Sequence, residues 1–187
     1  MASRFEFRPT PIDNLVVILR QPFADARGYL ERMFCAETFA AIGLIKPIVQ
    51  INHTLTRQCG VVRGMHFQYP PYAETKIVSC LKGEVFDVAI DLRAGSPTFL
   101  RWHGEVLSDV NGKSLYIPEG FAHGFQTLTE NCEMLYFHTA AYVLQAEGGI
   151  APTEPRVKIA WPLPIAQLSD RDARHPELDD TFSGIVL

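Results

Sequence analysis

Over much of the middle of the chain, apolar and polar residues alternate with a period of about two, the signature of half-buried strands. IVQINHTLT (48–56) shows the alternation plainly, and LVVIL (15–19) is short and β-branched. KIVSCLKGEVFDVAIDL (76–92) is long enough for two strands joined at Lys82-Gly83. TFLRWHGEVL (98–107), SLYIP (114–118), FQTLT (125–129) and EMLYFHTAAY (133–142) continue the series. Gly, Pro, Asn and Asp separate these runs, so the pattern predicts a β-sandwich or barrel. Helix is scarce. AETFAAIG (36–43) supports one or two turns ending at Gly43, and Ser169 is placed to cap a short C-terminal helix. Pro152, Pro155, Pro162 and Pro164 make the stretch before it irregular. The simplest architecture is mainly β: a jelly-roll with short C-terminal helices, residues 143–187 forming the irregular and helical part.

Length changes this picture little: 187 residues suit one packed domain spanning 1–187. Hydrophobic residues make up 47% and charged residues 20%, the balance of a soluble globular protein. The net charge of −4 argues against a general nucleic-acid surface but leaves room for a local anion site. No apolar run reaches the length of a membrane span, and MASRFEFRPTPIDN at the start has no secretory core. A cytoplasmic protein without membrane or nucleic-acid partners is expected. Cys35, Cys59, Cys80 and Cys132 form no CxxC pair and read as reduced thiols.

Two segments concentrate polar groups among apolar ones. Arg63-Gly64-Met65-His66-Phe67-Gln68 is the first, and Pro118-Glu119-Gly120-Phe121-Ala122-His123-Gly124 is the second. The second has the form PxGxxH, in which a tight turn delivers a histidine to the start of a strand. That spacing resembles the second motif of cupin barrels, where the histidine points into the cavity. A metal-binding cupin would supply HxH in the first motif. Here the run is His66-Phe67-Gln68, and an amide is a poor transition-metal ligand. Taken singly, His66 and His123 are better explained as hydrogen-bonded structural histidines; two in Gly-flanked turns of one barrel favour a site. Lys76 opens an apolar strand. On an edge it would be solvated, but pointing inward it is a buried cation that needs an anion. A strand tyrosine such as Tyr136 is usually packing, and Asp172 alone would be read as a helix cap.

In order, PFADARGYL (22–30), VQINHT (49–54), VVRGMHFQ (61–68), TKIV (75–78), KGEVFDVAIDLRAGSPTF (82–99), LYIPEGFAHGF (115–125), EMLY (133–136) and LSDRDA (168–173) resemble the dTDP-4-dehydrorhamnose 3,5-epimerase family. The resemblance covers residues 12–172, and the RGxHFQ, GEVFDVAxDxRxGSPTF and IPEGFAHGF blocks are highly specific together. It implies a cupin-type jelly-roll, a homodimer, and catalysis without metal or organic cofactor. It makes His66 the general base, Asp172 the carboxylate that orients it, and Tyr136 the acid on the opposite face. Lys76, with Arg63 and His123, would surround the keto sugar. Arg27, Gln50, Asn52 and Phe23 would hold the nucleotide or diphosphate, partly across the dimer interface, and Gln68 joins the substrate-binding group.

The chain departs from the family pattern at Arg32, where an acid is frequent although Glu31 is adjacent, and at Ser79, where arginine is common. It departs again at Phe137-His138 and in Gly149-Ile150-Ala151-Pro152-Thr153-Glu154-Pro155, which lacks the family's Trp and Asn. These differences bear on the sugar, the nucleotide and the number of centres inverted rather than on the chemistry. Three alternatives follow. One is a 3-only or 5-only epimerase acting on a related dTDP-, CDP- or other nucleotide sugar. Another is a metal-dependent cupin using His66, His123 and His138 or Glu74. The third is a non-catalytic sugar-nucleotide binder.

Overall fold

The computed structural model describes residues 4–187; the first three residues of the expected domain lie outside the described residues. β1 (Phe5–Pro9) and β2 (Val16–Arg20) form an opening hairpin, and β3 (Phe23–Asp25) with β4 (Gly28–Leu30) a smaller one. α1 (Ala36–Phe39) runs on into a 3-10 turn and stops at Gly43, whose φ of 92° suits a residue without Cβ. Then come β5 (Gln50–Thr56), β6 (Val62–Gln68), β7 (Lys76–Lys82), β8 (Glu84–Asp91), β9 (Trp102–Ser108), β10 (Lys113–Ile117), β11 (Phe121–Thr127), β12 (Cys132–His138) and β13 (Glu147–Gly149). They make a six-stranded sheet, β1-β2-β10-β7-β12-β5, and a five-stranded sheet, β13-β6-β11-β8-β9. Neighbours within each sheet are antiparallel. This is the jelly-roll that the strand pattern predicts.

Alternation decides what each strand buries. Val78 and Cys80 of β7, Val85 and Ala89 of β8, Phe125 of β11 and Met134 of β12 meet between the two sheets. The outer face of the five-stranded sheet is covered too. There Met65, Phe67, Val88 and Ile90 pack on Ile150, Val157 and Ile185 of the C-terminal segment. On the other side, Ile18, Ile77, Tyr116 and Phe137 pack on Phe39 of α1. Each buried side chain of this size contributes about 1.5–3 kcal/mol. With both faces covered, β11 is buried at every position, so its sequence carries little alternation.

Several boundaries differ from the pattern. Residues 98–100 form turn and 101 is irregular rather than strand, β11 starts at Phe121 rather than at 125, and β12 ends at His138 rather than at 142. The expected C-terminal helix is a single 3-10 turn (Asp172–Arg174), although Ser169 Oγ does accept the Asp172 N–H at 3.0 Å. Residues 150–171 contain no longer helix because the prolines remove backbone donors. All four cysteines are free thiols, and burial pushes Cys80 up to about 12. Among the described residues, no helix is long and apolar enough to cross a membrane.

Candidate active site

A cavity of about 840 Å³ opens between the two sheets. His66, His123 and Arg63 reach it from the five-stranded sheet, and Lys76, Tyr136, Asn52 and His138 from the six-stranded sheet. Parity alone would set Arg63 and His66 on opposite faces of β6. A bulge resolves this. On β11, His123 and Phe125 lie two residues apart, but their partners on β6, His66 and Arg63, lie three apart. The irregularity falls at Gly64, whose φ is 134° and whose backbone nearly touches β11. A Cβ there would sit 2.6 Å from Gly124 Cα. Glycine at both positions lets the strands close up while the bulge turns both side chains inward.

His66 Nε2 lies 2.8 Å from Asp172 Oδ1, and Asp172 Oδ2 accepts the Gly64 N–H at 3.1 Å. A carboxylate that close requires the imidazole proton on Nε2, which leaves Nδ1 with the free lone pair. Burial is the largest influence on His66 and holds its proton affinity below the ordinary imidazole value, against the pull of Asp172. Burial would by itself raise Asp172, but His66, the Gly64 N–H and Ser169 outweigh it and keep the carboxyl well below the usual range. The pair is therefore a neutral imidazole oriented by an ionised carboxylate.

Lys76 is 7% exposed, so its ammonium is removed from bulk water. Nζ donates to the His66 carbonyl at 3.3 Å and pairs with Glu74 Oε1 at 3.2 Å. An ammonium has three N–H groups, and the third is free for a ligand in the cavity. His123 Nε2 lies 2.6 Å from Asp87 Oδ1, and burial pushes that carboxyl up against the pull of His123. Tyr136 is buried, with its ring 6.1 Å from those of both His123 and His138. Burial raises its phenol well above the ordinary value, so it stays protonated throughout the neutral range. Arg63 donates to Thr56 Oγ1 at 3.3 Å.

Not all the sequence-predicted residues meet here. Gln68 is turned away: its amide donates to the Tyr72 and Ala141 carbonyls and accepts the Val143 N–H, which bolts down two loops. It supports the fold and does not line the cavity. Arg27 pairs with Asp25 at the exposed tip of the β3–β4 hairpin, and Phe23 lies on the same hairpin, 56% exposed under the Arg4 guanidinium. Gln50 sits at the start of β5, donating to Asn52 Oδ1. These three lie outside the cavity lining of one chain. Glu31, next to Arg32, pairs with buried Arg20, which fills the space beside Ser79 and Ser114.

Sequence reasoning passed over Arg171, whose Nη2 lies 3.0 Å from His66 Nε2 while its Nη1 pairs with Glu147. Its place beside Asp172 in SDRD was the available signal. His175 was passed over as well; its ring lies 5.3 Å from that of His66. Potential ligand atoms of His66, Asp172 and His175 lie within 4.8 Å of one another. The Arg171 guanidinium at that same point works against a dication there. The ligands of the metal-dependent alternative already bond carboxylates: His66 Nε2 lies 2.8 Å from Asp172, His123 Nε2 2.6 Å from Asp87, and His138 Nδ1 2.8 Å from Glu74 Oε2.

A family model described as dTDP-4-dehydrorhamnose 3,5-epimerase matches residues 9–180. The chain belongs to this family. A dTDP-4-dehydrorhamnose 3,5-epimerase of Salmonella typhimurium is 42% identical, over 92% of this chain and 95% of the relative. A dTDP-4-dehydrorhamnose 3-epimerase of Streptomyces niveus is 37% identical, over 88% of this chain and 80% of the relative. Among solved structures, a dTDP-6-deoxy-D-glucose-3,5-epimerase from Legionella pneumophila, in complex with dTDP-4-keto-L-rhamnose, superposes with a TM-score of 0.88 at 39% identity, covering 92% of each chain. Membership in the epimerase family makes this protein an isomerase, and the cupin-type fold expected from the sequence is that of its solved relatives.

Proposed function

We propose that this epimerase family member inverts C3 and C5 of a dTDP-linked 4-dehydro-6-deoxyglucose, by taking a proton from one face of the sugar and returning one to the other. The observation that carries the proposal is a base and an acid supplied by opposite sheets to one cavity: His66 with Asp172 on one side, Tyr136 on the other. Both reacting carbons flank the C4 ketone, so their C–H bonds are acidified by the same carbonyl. His66 Nδ1 takes the proton, and Asp172 stabilises the imidazolium as it forms. The electron pair of the C–H bond moves into an enolate whose charge rests on the C4 oxygen. The free N–H of Lys76, with Arg63 and His123 nearby, meets that charge within the cavity. Tyr136 then gives its proton to the carbon from the opposite face. Exchange with solvent returns the proton to Tyr136 and removes it from His66 after each inversion, so the pair is reset between the two carbons and again before the next substrate. Every step is a proton transfer, so the residues suffice without an added redox group.

Arg27 and Phe23 fit the proposal if the working unit is a homodimer. Among the described residues β5 is a sheet edge that exposes Ile51 and Leu55, with exposed Val49 just before it, and the β3–β4 hairpin exposes Phe23, Tyr29 and Leu30. A second copy covering these apolar groups would bring the hairpin to its neighbour's cavity. The catalytic unit in this proposal is one domain per chain, acting in the cytoplasm.

The test is incubation with dTDP-4-dehydro-6-deoxyglucose in deuterated water, read by NMR. Deuterium at both C3 and C5 is expected; none at either carbon would end the proposal. Label at C3 alone would instead place the chain with its 3-epimerase relative. Light scattering on the purified protein checks the dimer, and a monomer at micromolar concentration would remove Arg27 and Phe23 from the site.

A further inference from the structure

Three histidines of the cavity lining each pair with a carboxylate: His66 with Asp172, His123 with Asp87, and His138 with Glu74, the last two carboxylates lying behind the lining. The first carries the proposed base, and the second stands beside it on the neighbouring strand of the same sheet. The third has no part in the mechanism above, and its two residues come from different elements, the loop before β7 and the end of β12.

Glu74 bridges two partners. Its Oε1 lies 3.2 Å from Lys76 Nζ, and its Oε2 accepts the His138 Nδ1–H at 2.8 Å. His138 Nε2 in turn faces the Asn52 amide at 3.4 Å, and the His138 ring stacks on Tyr136 at an interplanar angle of 20°. All three members are nearly buried: the side chains of Lys76, Glu74 and His138 are 9%, 10% and 10% exposed. Burial works to raise the Glu74 carboxyl, but His138 and Lys76 outweigh it and keep the group ionised. Lys76 is also faced by Asp87 on β8, His66 and Arg63 on β6, His123 on β11, and Tyr136 and His138 on β12. Asp87 is committed to His123, so Glu74 is the carboxylate in direct contact with the ammonium.

We propose that Glu74, clamped by His138, is a positioning residue that pairs with the Lys76 ammonium and aims its free N–H at the enolate oxygen. The inference rests on the epimerase proposal for Lys76. An ammonium taken out of water is costly unless a carboxylate meets it, and a neutral amine does not stabilise an oxyanion. Glu74 supplies the anion. His138 fixes the carboxylate from the far side, so that one oxygen always points at Nζ. The Lys76–Glu74–His138 chain ends on the Tyr136 ring, and one rigid unit thereby links the groups proposed to stabilise the enolate and to reprotonate it.

The test compares wild type, Glu74→Gln and Glu74→Asp by deuterium incorporation into dTDP-4-dehydro-6-deoxyglucose across pH, with melting temperature and dTDP affinity as controls. Glutamine keeps the shape and removes the charge. Its kcat is expected to fall at least tenfold while KM stays within threefold, and the alkaline limb of kcat moves at least one pH unit lower. Aspartate restores the limb. A folded glutamine variant with the wild-type limb overturns the proposal, as does a loss of kcat that leaves the limb in place. If Glu74→Gln does not fold, His138→Gln loosens the carboxylate without removing it and should move the limb in the same direction. An unmoved limb in a folded His138→Gln then overturns the inference. Wild type that exchanges no deuterium defeats the epimerase proposal and this one with it; exchange in wild type with an indifferent glutamine variant defeats this one alone.

Discussion

Replacing Asp172 by asparagine tests the dyad with little change in shape. Asp172 holds two donors at once, His66 Nε2–H at Oδ1 and the Gly64 N–H at Oδ2. An asparagine has only one acceptor oxygen. The backbone N–H of Gly64 cannot accept, so that oxygen stays with Gly64 and the NH2 turns toward His66. Nε2 must then be the acceptor, the imidazole proton moves to Nδ1, and the lone pair that should face the sugar is lost. The charge matters too. Two unit charges 4 Å apart attract by about 4 kcal/mol at an effective dielectric constant of about 20. With about 1.36 kcal/mol per tenfold, losing that attraction to the forming imidazolium costs about a thousandfold in rate. Asp172→Asn should therefore lower kcat by about 10³, with KM changed far less because the ground-state imidazole is neutral. Single-turnover deuterium incorporation, with thermal melting to verify folding, measures it. A folded Asp172→Asn protein within threefold of wild-type kcat would refute the tautomer argument and the role of His66 with it.

Other expectations follow from the same geometry. Tyr136→Phe should slow product formation by about a hundredfold or more while retaining part of the solvent exchange, because removal and return of the proton use different groups; equal loss of both in NMR time courses would contradict the division of labour. His66 must be neutral to act, and its proton affinity is held below the ordinary value of about 6.5. Activity should accordingly persist as pH falls through 6.5 and decline only below it, so an acid limb of kcat/KM above about pH 7 would count against His66 as base. Gly64→Ala places a Cβ 2.6 Å from Gly124 Cα at a φ of 134°. It should cost about 3 kcal/mol or more, and a melting temperature within about 2 °C of wild type would show that the strands can part.

The parts of the molecule legible in the sequence are those where one physical rule acts alone. β5 alternates because its outer face is exposed, and that alternation is plain in IVQINHTLT; the structure turns its Asn52, Thr54 and Thr56 to the cavity. β11 was misplaced because both of its faces are covered and its polar members, His123 and Gln126, are buried with the rest. The bounds of the N-terminal strand β1 are not legible, because FEFRP is short and ends in proline. In the site, the inward direction of Lys76 follows from the parity of β7, whose residues 76, 78 and 80 share the face between the sheets. The joint presence of Arg63 and His66 was not legible, since it depends on a bulge that reverses the parity rule. Asp172 was reachable only through resemblance: 106 residues separate it from His66, and no local pattern spans that distance. Glu74 and His138 had been noticed as possible metal ligands; their actual roles as each other's partners depend on the pairing of β7 with β12.

Because the proposed proton acceptor and donor belong to different layers of the sandwich, the distance between the layers acts as a gauge for the molecule that fits between them. Packed sheets stand about 10 Å apart, and that gap is maintained by side chains such as Met134 and Phe125, which carry no chemistry of their own. A sugar ring is thin enough to lie between the two groups and too thick to let them touch. Trimming such a spacer should thus change turnover without altering any reactive residue, and the fold itself becomes one of the determinants of stereochemistry.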